Sequence, residues 1–424
     1  MVVLWLCNFS LPMIAEKMGE KARVNEGWIQ GLYGSLIDNA LIDSIIYLFP
    51  QKTYIDNCTG RIGKLDYIGF YSSESNPSVV SKGLTALFEK ILQQHEVDVI
   101  HIMGTEYAHS VAMINAAENT GNLKRTIVSI QGMPSVYYKH YLLGVPEKVI
   151  KRKRIKDIVC RSDLIKQQQL MQERGKSEKY VLSKAINVMG RTEWDVACTM
   201  QINADRKYFY GGEILRECFY QGAWDVNKIK RNSVFISQAT YPVKGFHFFV
   251  EAAGFLITKY PDLKVYVGGR NIYSGATWKK SSYEKYVCDL MEKYGLTKKI
   301  TFTGPLRAEE MKEKYLTCNV FVSPSTIENS PNSVGEAMIL GVPTVTSDVG
   351  GVKDMLIHKK EGYIYPADEP YMLAFYIDQI FSSDDLAQSL GSNAHIHAAL
   401  THNRESITKK VLETYKEIDE EGKS

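Results

Sequence analysis

Short apolar runs alternate along this chain with longer amphipathic stretches, the pattern of parallel α/β domains in which buried strands are joined by crossover helices. In the first half, strands are predicted at 2–7, 44–49, 65–70, 98–102, 126–130 and 185–189. Helices are predicted at 27–37, 78–94 and 108–118, with a Lys- and Arg-rich helical stretch over 148–184. A polar, basic connector at 224–232 interrupts the pattern, which then resumes. Strands follow at 234–237, 264–267, 300–303 and 320–323, and helices at 246–259, 281–294 and 307–315. The tail beyond about 370 is helical and ends acidic. With 424 residues the chain exceeds what one core holds, so two domains of about 200 residues are expected.

Composition changes this picture little. An apolar share of 45% and a charged share of 23% are those of an ordinary globular protein. A net charge of +3 is small for this length and, without aromatic or groove-reading features, argues against nucleic acid as a partner. The seven cysteines are scattered, odd in number and form no C-x-x-C pair, which reads as reduced, mostly buried thiols in a cytoplasmic protein. The opening residues are apolar but lack a basic leader segment and run at once into Asn8 and Pro12. They read as a first buried strand. On that reading the sequons at Asn8 and Asn57 are chance, and no apolar run is long enough to span a bilayer.

The densest chemistry follows the strand at 320–323. Glu328-Asn-Ser-Pro-Asn-Ser-Val-Gly-Glu336 puts two carboxylates eight positions apart across a loop that turns into a helix, with Asn332 or Ser333 as its expected cap and Gly341 and Pro343 as its stop. A helix that starts past the carboxyl end of a parallel strand is an anion site, because its free N–H groups face the ligand. Glu328, in the loop, suits sugar hydroxyls, and Glu336, a turn into the helix, suits a ribose. A second site begins at Gln238-Ala-Thr-Tyr-Pro-Val-Lys244-Gly245, where a lysine beside a helix N-terminus favours a diphosphate.

The run from Glu328 through Gly341-Val-Pro343-Thr-Val345 to Asp348-Val-Gly-Gly351 resembles the E-x7-E signature of glycosyltransferase family 4. These are retaining enzymes of the GT-B fold, with two Rossmann-like domains whose parallel sheets face across a cleft. The resemblance is strongest over 233–351. It implies an acceptor-binding domain at 1–225, a nucleotide-sugar-binding domain at 226–395, and a helix at 396–424 crossing back to the first. It also implies a role for Glu328 in orienting the sugar and for Lys244 in holding the diphosphate. Asn329, Ser330, Asn332, Ser333, Glu336, Gly245 and Gly304 would complete the donor site. The family's usual Arg is Gln238 here, so leaving-group stabilisation rests more heavily on Lys244. Where many members place a histidine near the reacting sugar, this chain has Gln131, which orients but cannot act as a base. Gly27, in Glu26-Gly27-Trp28, resembles the glycine loop near the donor phosphates. Arg191 either approaches the diphosphate or pairs with Glu193 or Asp195.

His109 is the candidate acceptor contact, and His101 reads as a satisfied core histidine. No metal-ligand spacing occurs, so a metal-independent enzyme with no cofactor beyond a UDP- or GDP-sugar donor is expected. The basic run from Lys148 to Lys156, interleaved with apolar residues up to Val159, reads as an interfacial helix that holds the enzyme on the inner face of the plasma membrane. It reads equally as a helix packed on the domain with its charges solvated. The expected function is sugar transfer to a glycan or lipid-linked acceptor in capsule, O-antigen or similar surface polysaccharide. The rivals are a GT-B sugar-nucleotide epimerase and a non-catalytic sugar-nucleotide-binding subunit, the latter suggested by Gln131 and Gln238.

Overall fold

A computed structural model describes residues 1–20, 27–51, 58–72 and 82–423. The chain divides into two compact units: Met1–Val136, Met171–Ile214 and Asn403–Ser424 form unit 1, and Tyr137–Leu170 with Leu215–His402 form unit 2. The segment 137–170, which falls inside the expected first domain, thus belongs to the second unit.

Unit 1 is built on strands β1 (Val2–Leu6), β2 (Ser44–Gln51), β3 (Thr59–Ile62), β4 (Leu65–Tyr71), β5 (Val99–Met103), β6 (Thr126–Ser129), β7 (Asn187–Gly190) and β8 (Lys207–Tyr210). Their order is β3-β4-β2-β1-β5-β6-β7-β8, parallel except for the β3–β4 pair. The central strands are apolar on both faces because helices cover both. The edge strands β3 and β8 escape sequence reading for the converse reason: half-exposed, they carry no continuous apolar run.

The helix Arg404–Lys423 lays Ile407, Val411, Leu412, Tyr415 and Ile418 into the core of this unit. Its Tyr415 hydroxyl accepts from Trp5 Nε1 at 3.0 Å and meets His101 Nδ1 at 2.6 Å, while His101 Nε2 meets Ser129 Oγ at 2.5 Å. His101 is therefore a satisfied core residue, and burial holds its pKa down at about 3. Tyr415→Phe leaves the Trp5 N–H and one histidine nitrogen buried without a partner, at an expected cost of about 1–3 kcal/mol. Urea unfolding of the full chain measures it. An unchanged midpoint would mean that the network contributes nothing.

Unit 2 holds β9 (Ser233–Ile236), β10 (Lys264–Val267), β11 (Ile300–Phe302), β12 (Val320–Ser323), β13 (Thr344–Ser347) and β14 (Tyr363–Tyr365). The order is β11-β10-β9-β12-β13-β14, parallel throughout. The chain steps outward from β9 to β10 and β11, then returns to the other side of β9 as β12. The crevice outside the carboxyl ends of β9 and β12 is the reversal point at which open α/β sheets take ligands.

The basic stretch is not one amphipathic helix. Two short helices, Glu147–Ile150 and Ile155–Val159, are separated by an irregular turn. Arg154 breaks the continuity by turning inward, donating to the carbonyls of Thr277 at 2.7 Å and Lys280 at 3.0 Å. Lys156 is held by Glu284 at 2.9 Å, Lys153 by Asp163 at 3.3 Å and Lys151 by Glu147 at 2.5 Å. Three of the six basic side chains thus meet a carboxylate within the unit, and Arg154 is held by carbonyls.

Candidate functional site

Two loops meet at the reversal point of the second sheet. After β9, residues Pro242–Lys244 make a single 3-10 turn that ends at Gly245, with φ +61°, before the helix Phe246–Leu256. A Cβ on Gly245 would lie 1.7 Å from the Pro324 carbonyl oxygen, so only glycine lets the turn approach the loop that follows β12. Thr326 N–H donates to Val243 O at 2.8 Å and joins the two backbones. Lys244 Nζ thereby reaches Glu328 Oε1 at 2.6 Å, and Ser325 Oγ donates to the same oxygen at 2.8 Å. Burial pulls the Lys244 ammonium down, but the Glu328 charge and hydrogen bond outweigh it and hold the group above the usual lysine range.

The Asp348–Gly351 run has its own physical reason. At Gly350, with φ +51°, a Cβ would lie 1.9 Å from the Glu328 carbonyl, and the Gly351 N–H donates to that carbonyl at 3.2 Å. This backbone supports the Glu328 loop from beneath. Two of the residues singled out from sequence, Lys244 and Glu328, are therefore in direct contact although 84 positions apart.

The helix begins at Asn332 and ends at Ile339, with Pro331 in the cap position and no side-chain capping bond. Neither Asn332 nor Ser333 is the cap. The extended backbone of Pro331, with its fixed φ, already occupies that place, so both become first-turn residues. Ser330, Asn332 and Ser333 are half-buried, while Asn329 is buried. The Ser333 carbonyl accepts from the Tyr315 hydroxyl at 2.9 Å.

Glu336 is 3% exposed and is gripped by Arg216, whose Nε lies 2.9 Å and Nη2 2.7 Å from Oε1. Sequence reading missed Arg216 because nothing local to Glu213–Arg216 points to a partner 120 positions away. Burial pushes the Glu336 carboxyl up to about 7 from an ordinary 4.5, against the pull of Arg216. A raised carboxyl binds its proton more tightly in the folded state. It therefore contributes stability that is complete below pH 4.5 and is lost as pH rises through about 7. The melting-temperature difference between wild type and Glu336→Gln should accordingly fall between those pH values, by up to the equivalent of about 3 kcal/mol. A difference independent of pH would show that Glu336 titrates normally.

The remaining donor-side candidates line the same sheet end. Gln238 follows β9 and accepts from the Tyr241 hydroxyl at 3.4 Å. Gly304, with φ +79°, follows β11 and accepts from Gly269 N–H at 2.9 Å, so the two glycine turns after β10 and β11 brace each other. Arg270 is engaged by Glu284.

Gln131, Arg191, Gly27 and His109 lie in unit 1. Arg191 Nη2 donates to Ile130 O at 3.0 Å and to Gln131 Oε1 at 3.4 Å, and its guanidinium pairs with Glu213. The Arg191 backbone N–H donates to Asp195 at 3.0 Å, and Thr192 with Asp195 forms a capping box for the helix Glu193–Met200. Gly27 opens the helix Gly27–Ile37, and Glu26 lies outside the described residues. His109 is 4% exposed and stacks on Tyr107. Among the described residues no cluster of His, Cys, Asp and Glu has the make-up of a metal site, and no helix is long and apolar enough to cross a membrane.

Residues 224–397 match the family model described as glycosyl transferases group 1. The chain is 28% identical over 176 residues to a D-inositol 3-phosphate glycosyltransferase of Corynebacterium urealyticum, covering 42% of this chain and 41% of the relative. It is 25% identical over 184 residues to an uncharacterized glycosyltransferase of Methanocaldococcus jannaschii, covering 43% and 44%. The chain thus spans less than half the length of these curated relatives. Among solved structures, the sucrose-phosphate synthase of Thermosynechococcus elongatus superposes with a TM-score of 0.72 at 15% identity, over 99% of both chains. Anabaena HepE in complex with UDP-glucose gives 0.65 at 16% identity, over 98% of this chain and 100% of that one. These likenesses show the fold, which is GT-B.

Proposed function

With residues 224–397 as a glycosyl transferases group 1 domain within a GT-B fold, we propose that the protein transfers a sugar from a nucleotide donor to a hydroxyl acceptor. The observation that carries this reading is the Lys244–Glu328 contact at the reversal point of the second sheet, beside the N-terminus of the helix Asn332–Ile339. In the proposed reaction Lys244 and the helix N–H groups hold the diphosphate, Glu336 holds the ribose and Glu328 orients the sugar. The acceptor hydroxyl attacks on the face that the leaving group departs from, so configuration is retained. The donor phosphate takes the acceptor proton, since Gln131 has no basic group. Catalysis is then positioning and electrostatics, without a metal.

The donor is a UDP- or GDP-sugar, a choice supported on the UDP side by the UDP-glucose complex of a similar fold. The acceptor is a glycan or lipid-linked sugar of a surface polysaccharide such as capsule or O-antigen. Ile155, Ile158 and Val159, at 57%, 62% and 75% exposed, support a peripheral contact with the inner membrane face through 148–159. Gln131 and Gln238 favour a second reading, a non-catalytic subunit that binds the sugar nucleotide.

A thermal-shift panel with UDP, GDP, ADP, CMP and their sugars tests the donor. A ligand bound only to the folded state at a hundredfold excess over its Kd adds about 2.7 kcal/mol of apparent stability. One nucleotide class should stabilise the wild type and fail to stabilise Glu336→Ala. If none does, the transferase reading fails. Slow donor hydrolysis that Glu328→Ala abolishes would separate the enzyme from the binding subunit.

A further inference from the structure

The first sheet has a reversal of its own, between β1 and β5, and the loops leaving β1, β5 and β6 bring three polar side chains together there. Gly104 follows β5 with φ +109°. A Cβ on it would lie 3.3 Å from Asn8 Nδ2, 3.4 Å from Glu106 Oε2 and 3.9 Å from Gln131 Cγ, so the three converge on a floor that has no side chain. All three are half-buried, within reach of solvent.

Each is oriented by a neighbour. Burial holds the His109 pKa at about 3, so its imidazole is neutral. With its proton on Nε2, it donates to Asn8 Oδ1 at 2.7 Å, which turns the Asn8 NH2 toward Gly104. Glu106 Oε2 accepts the Thr105 N–H at 3.1 Å. Gln131 Oε1 accepts from Arg191 at 3.4 Å, which leaves the Gln131 NH2 as its outward donor. The result is an arc of amide donor, carboxyl acceptor and amide donor. Among the described residues, fully buried Thr105 Oγ1 and Glu178 Oε2 have no hydrogen-bond partner.

The charges define the ligand further. Arg174 lies 5.6 Å over the Tyr107 ring and faces Glu106, Lys179 acts on the buried neighbour Glu178, and the Arg191 guanidinium is engaged by Glu213. A hydroxyl both gives and takes a hydrogen bond, so two adjacent hydroxyls match the arc, whereas a phosphate would meet Glu106 at close range.

We propose that Asn8, Glu106 and Gln131, converging on Gly104, form a subsite for the vicinal diol of an uncharged sugar or cyclitol, with His109 as the positioning residue for Asn8. That this ligand is the acceptor rests on the transferase reading; the subsite does not.

Saturation-transfer NMR on the full chain tests it, with myo-inositol and the methyl glycosides of glucose, galactose and mannose as neutral probes and glucose 6-phosphate as the anionic one. At least one neutral probe should bind saturably, weakened about tenfold by Asn8→Ala and again by Glu106→Gln, the scale of one lost hydrogen bond to a charged group. His109→Gln, whose amide still donates to Asn8, should bind as wild type does, and His109→Leu should not. Saturation by no neutral probe, tighter binding of the phosphate, or unchanged binding in Asn8→Ala and Glu106→Gln would overturn the proposal. Nucleotide thermal shifts on the same samples separate the two readings. Nucleotide binding without polyol binding sinks this inference alone, and polyol binding without nucleotide binding sinks the transferase reading alone.

Discussion

Lys244→Ala is expected to lower kcat/KM for sugar transfer by a factor of about 10² to 10³, the usual effect of removing one preorganised charge from a developing anion. The lysine is placed for this task. Its turn is pinned by Gly245 against Pro324, and its ammonium sits 2.6 Å from Glu328 in a half-buried setting where charges are weakly screened. Gln238 cannot share the load, because an amide donates a hydrogen bond without neutralising charge. Lys244→Arg should rescue little, since the planar guanidinium does not fit a site built around one short ammonium contact. The variant also leaves Glu328 without its counter-charge, so the urea midpoint is to be measured alongside the kinetics, and both proteins assayed where they are folded. Turnover within about threefold of wild type, by a folded variant, would remove Lys244 from the mechanism.

Gly245→Ala should be the most damaging single methyl in unit 2. The position has φ +61°, where a side chain costs about 1–2 kcal/mol by itself. The added Cβ would also overlap the Pro324 carbonyl at 1.7 Å, a backbone atom that cannot rotate away. The loops after β9 and β12 must then separate, which breaks the Thr326–Val243 backbone bond and draws Lys244 away from Glu328. A total loss of roughly 3 kcal/mol or more is expected. Transfer activity should fall at least as far as in Lys244→Ala, because position as well as packing is lost. A wild-type urea midpoint would mean that the two loops are not packed as described.

Much of this was legible before any coordinates. The buried strands β1, β2, β5, β9 and β12 announce themselves because strands covered on both faces are continuously apolar. The edge strands β3 and β8 do not, since half of each faces solvent. The helix at Asn332–Ile339 was expected, but its cap was misjudged, because Pro331 supplies an extended backbone without offering a side-chain acceptor. The basic run 148–156 misled for a different reason. Charge density along a sequence says nothing of which carbonyls and carboxylates fold over it, and Arg154 and Lys156 turned out to be held by residues 277–284.

The candidate site divides in the same way. Local chemistry identified Glu328, Lys244 and Gly245: a carboxylate in a strand-to-helix loop and a Lys-Gly before a helix are written in consecutive residues, each with a short-range physical reason. Their contact was decided by the strand order, which sets β9 beside β12 and so brings two loops some eighty positions apart to one crevice. Arg216 on Glu336 and His109 on Asn8 belong to that second kind, each joining residues about a hundred positions apart with no mark in either neighbourhood. Periodicity and short motifs record what each segment buries and which ligand chemistry it carries. Which carboxylate meets which cation, and which histidine stays neutral to orient an amide, depends on burial and long-range packing, and these exist only once the sheets are assembled.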